Sequence, residues 1–191
     1  MRALRDLPWL VLALLSKKRT IGGVQIRVAS AQDQAERIFH KVEAALRLVD
    51  TYAPELYDRL CSDVRYIQFS EASGGHYIVG TATCRIGIDF AMRVNDLELA
   101  MMIVHEATHA RIAKEGLKYS PDHREEIERR CVDAEITFAA RIPDSQHAVQ
   151  KVRDLLRTKW WETSTSDTQM ASELTGRGIP EWLVKRLVSR R

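Results

Sequence analysis

Residues 104–110 read VHEATHA and contain the pattern His-Glu-x-x-His at His105, Glu106 and His109. Residues four apart on an α-helix lie on one face, one turn apart, so the two imidazoles can reach a single metal ion. Neutral imidazole is a common zinc ligand. Glu106 flanks such an ion and can accept a proton from a water molecule that the metal has made more acidic. The pattern therefore predicts a zinc site with a general base beside it.

The residues around the pattern predict that this helix is buried. Apolar side chains surround the three polar ones on nearly every side: Met101, Met102, Ile103, Val104, Ala107, Ala110 and Ile112. A buried helix seldom carries two histidines and a glutamate without partners for them. We therefore favour a metal site over the alternative, two solvated histidines on a surface helix.

A catalytic zinc ion usually has three protein ligands and one open position. The next predicted helix offers these candidates for the third ligand: Asp122, His123, Glu125, Glu126, Glu128, Asp133 and Glu135. The connection between the two helices is short, which favours an antiparallel hairpin. His109 precedes Gly116 by seven residues and Glu128 follows Pro121 by seven, so both lie about 10 Å from the turn. We therefore predict Glu128 as the third ligand, with donor atoms roughly 3–4 Å apart. Glu135 is expected to lie too deep.

The segment from His105 to His109, followed by eighteen residues and then Glu128, resembles the gluzincin group of zinc metallopeptidases. In that group the third ligand is a glutamate on a following helix. The resemblance implies a zincin-like helical hairpin, Zn2+ as the cofactor, and hydrolysis of a peptide or protein substrate. The motifs cover a small part of the chain, which is too short for a thermolysin-sized enzyme and looks more like small bacterial proteins with one such motif.

The chain departs from the gluzincin pattern at two places. Some gluzincins have an aspartate four residues after the third ligand, where this chain has Val132. Glu128 also lacks the asparagine-glutamate context of the aminopeptidases, so exopeptidase activity is not implied. Glu135 lies seven residues beyond Glu128 on the same helix face, and we expect it either to support a zinc-binding histidine or to be an exposed acid.

The resemblance also implies a strand whose edge pairs with extended substrate. Residues 84–89, just before the histidine-bearing helix, are our candidate, with an ordinary sheet edge as the alternative. A donor to the developing oxyanion is needed as well. Its candidates are His76, Tyr77, Tyr119 and His123, and spacing selects none of them.

Hydrophobic patterning predicts an α+β fold with a small antiparallel sheet and further helices at the C-terminus. The predicted strands cover residues 24–28, 64–69, 76–80 and 84–89, and the main helices cover 96–116, 121–143 and 146–161. Ser30 is expected to cap the helix that follows the first of these strands.

Three segments are predicted along the 191 residues. Residues 1–20 form an apolar N-terminal segment, either a core helix or a membrane-associated one. Residues 21–161 form the zincin-like catalytic domain. Residues 162–191 form a polar linker and a basic amphipathic C-terminal helix. The two ends permit an alternative, a peptidase held at the membrane surface.

Composition limits the class of protein. The chain is 45% hydrophobic and 29% charged, as in soluble globular proteins, and its net charge of +3 gives no case for nucleic acid. Its three cysteines form no C-x-x-C pair, which favours a reducing compartment. We expect them to be small buried residues, and we expect a cytoplasmic protein, with membrane attachment through the N-terminal segment as the alternative.

Two functions from different classes follow from these observations. The leading one is a zinc metallopeptidase, a hydrolase with His105, His109 and Glu128 as ligands and Glu106 as base. The alternative is a non-catalytic zinc-stabilised binding or regulatory module. Glu106 argues against the module because a structural site needs no base, whereas a fourth protein ligand such as Cys84 would favour it.

Overall fold

The computed structural model describes residues 16–71 and 75–157. Most of the predicted N-terminal segment, the polar linker and the C-terminal helix lie outside these residues. The predictions made for them therefore stay predictions.

The described residues form an α+β fold around one five-stranded sheet. The strands are β1 (Lys17–Ile21), β2 (Val24–Val28), β3 (Tyr66–Ser70), β4 (Gly75–Ile78) and β5 (Thr83–Gly87), in the spatial order β1-β2-β3-β5-β4. The helices are α1 (Gln32–Tyr52), α2 (Pro54–Asp63), α3 (Ile88–Arg93), α4 (Asp96–Lys114), α5 (Arg124–Ala139) and α6 (Gln146–Arg157).

The sheet is mixed, so the prediction of an antiparallel sheet was wrong. β1 pairs with β2 and β4 pairs with β5 in antiparallel fashion, but β3 lies parallel to both β2 and β5. The two helices α1 and α2 connect β2 to β3, and such a long crossover returns the chain in the same direction. β1 was assigned to the N-terminal segment, yet it forms a hairpin with β2 through Gly22 and Gly23, whose positive φ angles of 54° and 86° suit a tight turn.

One face of the sheet forms the core. Its alternating apolar residues pack against the helices: Val24, Ile26, Val28, Ile67, Phe69, Cys84 and Ile86. Cys84 and Cys131 are buried as predicted, whereas Cys61 is exposed. Within residues 16–71 and 75–157, no helix is long and apolar enough to cross a membrane.

Two helix starts differ from the predictions. The residue before α1 is Ala31, and no side chain caps this helix; the Ser30 hydroxyl donates to the Ala31 carbonyl instead. α5 begins at Arg124 because residues 121–123 form a turn, in which the His123 amide bonds to the Ser120 carbonyl. The predicted start at Pro121 was therefore three residues too early.

The helix that carries the histidines is fixed at both ends. The Asn95 side chain accepts from the Glu98 amide, and the Glu98 carboxylate accepts from the Asn95 amide, so the predicted capping box is confirmed. Gly116, with a φ of 91°, follows its C-terminal end. α4 then packs antiparallel to α5, since Ile112 near the end of one contacts Ile127 near the start of the other.

The end of α2 is tied to α4 by a buried carboxylate, which gives a first prediction. The Asp63 side chain is 1% exposed, and its carboxylate lies 2.6 Å from Lys114 Nζ and 3.6 Å from Arg111. Burial raises its pKa, but hydrogen bonds from Lys114 and Ser62 outweigh that effect and hold the pKa below its usual value. Because the pKa of Asp63 is lower in the folded protein than in the unfolded chain, its ionised carboxylate stabilises the fold at pH values above the unfolded-state pKa of about 4. This stabilisation is lost as the pH falls through the folded-state pKa.

Asp63→Asn is therefore expected to lower the free energy of unfolding at pH 7 by about 1 kcal/mol, a modest figure because Lys114 is more than half exposed. The difference from the unsubstituted protein should shrink below about pH 4. Urea unfolding at several pH values measures it, and Asp58→Asn, the same exchange at an exposed residue of α2, serves as the control. A difference that grows on acidification would contradict this assignment.

Candidate metal centre

The two histidines of the motif lie side by side on the buried face of α4. His105 Nε2 and His109 Nε2 are 3.1 Å apart, and the ring centroids are separated by 4.9 Å. This arrangement follows from the four-residue spacing on a helix. Burial lowers the pKa of His109 to about 3, so its imidazole is neutral and able to bind a metal.

Glu128 projects from α5 toward the same two nitrogen atoms. It is 5% exposed, and its carboxylate oxygens lie 3.4 Å from His105 Nε2 and 3.8 Å from His109 Nε2. Burial raises the pKa of Glu128, but the hydrogen bond with His105 and the nearby imidazoles outweigh it, and the pKa is lowered. Together with the 3.1 Å between the histidines, these distances fall within the roughly 3–4 Å that tetrahedral ligation requires.

Glu135 contacts the opposite side of the His105 ring. Its Oε1 lies 2.5 Å from His105 Nδ1, and both side chains are buried, so the alternative of an exposed acid was wrong. Burial alone would lower the pKa of His105, but Glu135 and Glu128 raise it well above its usual value. Metal binding requires the loss of the Nε2 proton; Nδ1–H then still donates to Glu135, and the Nε2 lone pair is directed toward Glu128 and His109, as in many metal sites.

Tyr119, in the connection between the helices, holds the Glu128 carboxylate. Its hydroxyl donates to Glu128 Oε1 over 2.6 Å, and its ring meets that of His109 edge-on, with centroids 5.8 Å apart. Burial and the neighbouring carboxylate raise the pKa of Tyr119, so the phenol keeps its proton. Of the oxyanion-donor candidates, His123 and Tyr119 are both half exposed; His123 pairs with Glu126, whereas Tyr119 contacts Glu128 and His109.

Glu106 is buried between α4 and the sheet. It is 2% exposed, and among the described residues its Oε2 has no hydrogen-bond partner. Burial raises its pKa to about 8, with His105 opposing the shift and Glu128 adding to it. A buried carboxyl oxygen without a partner is costly. A metal ion with bound water would supply the missing partner, so the donor set fits such a group.

An edge strand of the sheet lies against Glu106, but it is not the strand at residues 84–89 that we predicted as the edge. β5, which covers most of residues 84–89, pairs with β3 on one side and β4 on the other, so it is an inner strand. The strand beside it at the edge of the described sheet is β4. A Cβ atom at Gly75 of β4 would lie only 2.5 Å from Glu106 Oε1, which shows how closely this backbone approaches the carboxylate.

Cys131 is a member of the site that the sequence prediction missed. It is fully buried on α5, and its Sγ forms a group with one nitrogen each of His105 and His109 in which all three atoms lie within 4.8 Å of one another. This group can hold a metal ion. The signal was present in the sequence, because Cys131 follows Glu128 by three residues and therefore lies near it on the helix surface.

Comparisons of the chain with protein-family models, with curated proteins and with solved structures found no match.

Proposed function

We propose that this protein is a zinc-dependent hydrolase that cleaves peptide bonds, with the gluzincin type of site implied by its motifs. His105, His109 and Glu128 hold the metal, and Glu106 is the general base. The observation that supports this most is the convergence of three donor groups, buried at His105 and Glu128 and partly buried at His109, which lie 3.1–3.8 Å apart. Beside them is the buried Glu106 carboxyl group, whose Oε2 has no hydrogen-bond partner among the described residues.

Each side chain of the proposed site has a separate role in the reaction. Zinc, when bound, lowers the pKa of water and polarises the carbonyl group of the substrate. Glu106 accepts the proton of the attacking water and passes it to the leaving amine. Glu135 fixes the tautomer of His105, and Tyr119 orients Glu128.

The proposed partner is a peptide or protein substrate, and nothing in the charge of the chain suggests nucleic acid. We place the protein in the cytoplasm because its three cysteines, Cys61, Cys84 and Cys131, are free thiols. Attachment to a membrane through the N-terminal segment remains the alternative location.

A second candidate function is a non-catalytic module that zinc stabilises. Cys131 favours it, since a cysteine beside two histidines and a glutamate offers four protein donors, as in closed structural sites. Glu106 favours the hydrolase, because a buried base has no role in a structural site.

Metal analysis combined with a peptide-library digest tests the proposed function. The purified chain is expected to carry about one zinc ion, to lose it to a chelator, and to cleave peptides only when loaded. His105→Ala and His109→Ala should each lose the metal. Full zinc occupancy in both variants would refute the metal site, and a zinc-loaded chain that cleaves no member of the library would favour the module.

Gly75 offers a test of how the sheet positions the base. A methyl group at Gly75 would meet Glu106 Oε1 at 2.5 Å and Met102 Sδ at 2.7 Å, so the carboxylate must shift. We expect Gly75→Ala to retain zinc and lose activity by about tenfold to a hundredfold, the effect of a displacement near 1 Å. Peptide turnover and zinc content measured together check this. Val79→Ala, at an exposed residue just beyond β4, is the control, and equal turnover in both variants would contradict the contact.

A further inference from the structure

Cys131 brings a sulfur atom to the metal centre. Its Sγ and one nitrogen each of His105 and His109 lie within 4.8 Å of one another, and no part of the side chain is exposed. Glu128 is within 3.8 Å of the same two imidazoles. Cys131 and Glu128 thus each approach the same pair of imidazoles, so the antiparallel helices offer four potential donors, two from each.

Tetrahedral bonds of about 2.3 Å to sulfur and 2.0–2.1 Å to nitrogen place the two donor atoms roughly 3.6 Å apart. The observed distances of at most 4.8 Å therefore exceed this separation by at most about 1.2 Å. Thiolate and imidazole donors together select zinc rather than the hard ions magnesium or calcium.

Packing explains only part of this arrangement. Cys131 shares a small apolar cluster with Ile112 and Ile127, and a buried cysteine often serves as a small apolar residue. That role requires no nearby imidazole. The same helix face presents Glu128, Cys131 and Glu135 in succession to α4, and the two glutamates both contact the His105 ring.

We propose that Cys131 is the fourth protein ligand of the resting metal site, and that its thiolate occupies the position that a catalytic water molecule requires. Ligation by Cys131 rests on the metal site of the proposed function but not on hydrolysis, whereas the latency that follows from it rests on both. On binding, the S–H bond breaks, its proton passes to solvent, and an Sγ–zinc bond forms without any change of oxidation state. Opening reverses this step: water takes the place of the sulfur, and the thiolate regains a proton. The resting enzyme is thus latent.

Cobalt substitution in the full chain tests the ligand directly. Four-coordinate Co2+ has visible d–d absorption, and a thiolate ligand adds a near-ultraviolet charge-transfer band. The Co2+-loaded protein is expected to show both features. Cys131→Ser should lose the charge-transfer band and keep the d–d bands, whereas Cys61→Ser, at an exposed thiol, should keep both. Glu128→Gln at saturating Co2+ should keep the charge-transfer band.

The outcomes separate the two proposals. Visible d–d bands without a charge-transfer band in the unsubstituted protein would overturn ligation by Cys131 and leave the proposed hydrolase intact. Loss of the band in Cys84→Ser but not in Cys131→Ser would assign the sulfur to Cys84 and also overturn it. Failure to bind Co2+ would refute both. A charge-transfer band in the unsubstituted protein, with no peptide cleavage by zinc-loaded Cys131→Ser either, would support the ligand and refute the hydrolase.

Activity tests the latency. Zinc-loaded Cys131→Ser is expected to cleave peptides several-fold faster than the unsubstituted protein, because the open position is no longer filled. Zinc content measured in the same samples corrects for weaker metal binding. Equal or slower turnover per bound zinc would overturn the claim that Cys131 closes the site.

Discussion

Replacing Glu106 with glutamine is expected to abolish peptide hydrolysis while leaving zinc bound. Glutamine keeps the shape of the side chain but cannot accept a proton at neutral pH, so turnover should fall by about a hundredfold or more. Zinc should stay, because the proposed ligands His105, His109 and Glu128 are unchanged. Single-turnover kinetics with a cleavable peptide, together with metal analysis, measure both quantities.

The fold should tolerate this substitution. Glu106 is 2% exposed, its pKa is raised to about 8, and its Oε2 lacks a hydrogen-bond partner among the described residues, so exchanging this carboxyl group for an amide of the same shape breaks no hydrogen bond at Oε2. We therefore expect an unfolding temperature no lower than that of the unsubstituted protein, which separates a catalytic defect from misfolding. Glu115→Gln, at an exposed carboxylate just past the same helix, is the control and should keep full turnover. A Glu106→Gln protein as active as this control would show that Glu106 is not the base.

The histidine-bearing helix was predictable because its signals are local. The capping box at Asn95 and Glu98, the apolar sequence that follows and the stop at Gly116 all lie within about six turns of one helix. The start of α5 was harder to predict from the sequence. Ser120 and Pro121 have the residue types of a helix start, but the chain uses the Ser120 carbonyl in a turn to His123 before the helix begins.

For the sheet, the sequence predicted where the strands lie but not their directions or their order. Alternation located the strands to within a few residues, but strand direction depends on how the intervening helices return the chain, which alternation does not encode. β1 was missed because its sequence KKRTI looks like a charged flank, and its partner β2 supplies the hydrogen bonds that make it a strand. β4 precedes β5 in the chain but lies outside it in the sheet, so sequence order pointed to the wrong edge strand.

At the candidate metal centre, depth along the helices predicted that Glu128 faces the histidines, even though the assumed start of α5 was wrong. A prediction from depth alone ignores that an imidazole ring has two nitrogen atoms, on different sides of the ring, so that two carboxylates at different depths can contact it. Glu128 approaches His105 Nε2 while Glu135, two turns further along α5, reaches Nδ1 of the same ring. Both carboxylates therefore belong to the site, at different levels, and Cys131 lies between them in sequence.

This geometry leads to the second large effect that we predict: Glu128→Gln should weaken zinc binding far more than Glu135→Gln. Glu128 places its oxygens 3.4 and 3.8 Å from the two Nε2 atoms, where an ion would bind, whereas Glu135 touches only Nδ1 of His105. Losing a supporting hydrogen bond of that kind typically costs about 10–100-fold in metal affinity. Losing a charged ligand should exceed that range.

Competition with a chromogenic chelator measures both dissociation constants under the same conditions. Tyr119→Phe provides a graded comparison, since it removes only the 2.6 Å hydrogen bond to Glu128 Oε1 and leaves the carboxylate in place. We expect the order of zinc affinity to be unsubstituted protein, then Tyr119→Phe and Glu135→Gln, then Glu128→Gln. If Glu135→Gln instead lost zinc as completely as His105→Ala while Glu128→Gln kept it, Glu135 would be the ligand. The resemblance to gluzincins, which depends on the spacing from His109 to Glu128, would then have to be abandoned, although the two histidines would still define a metal site.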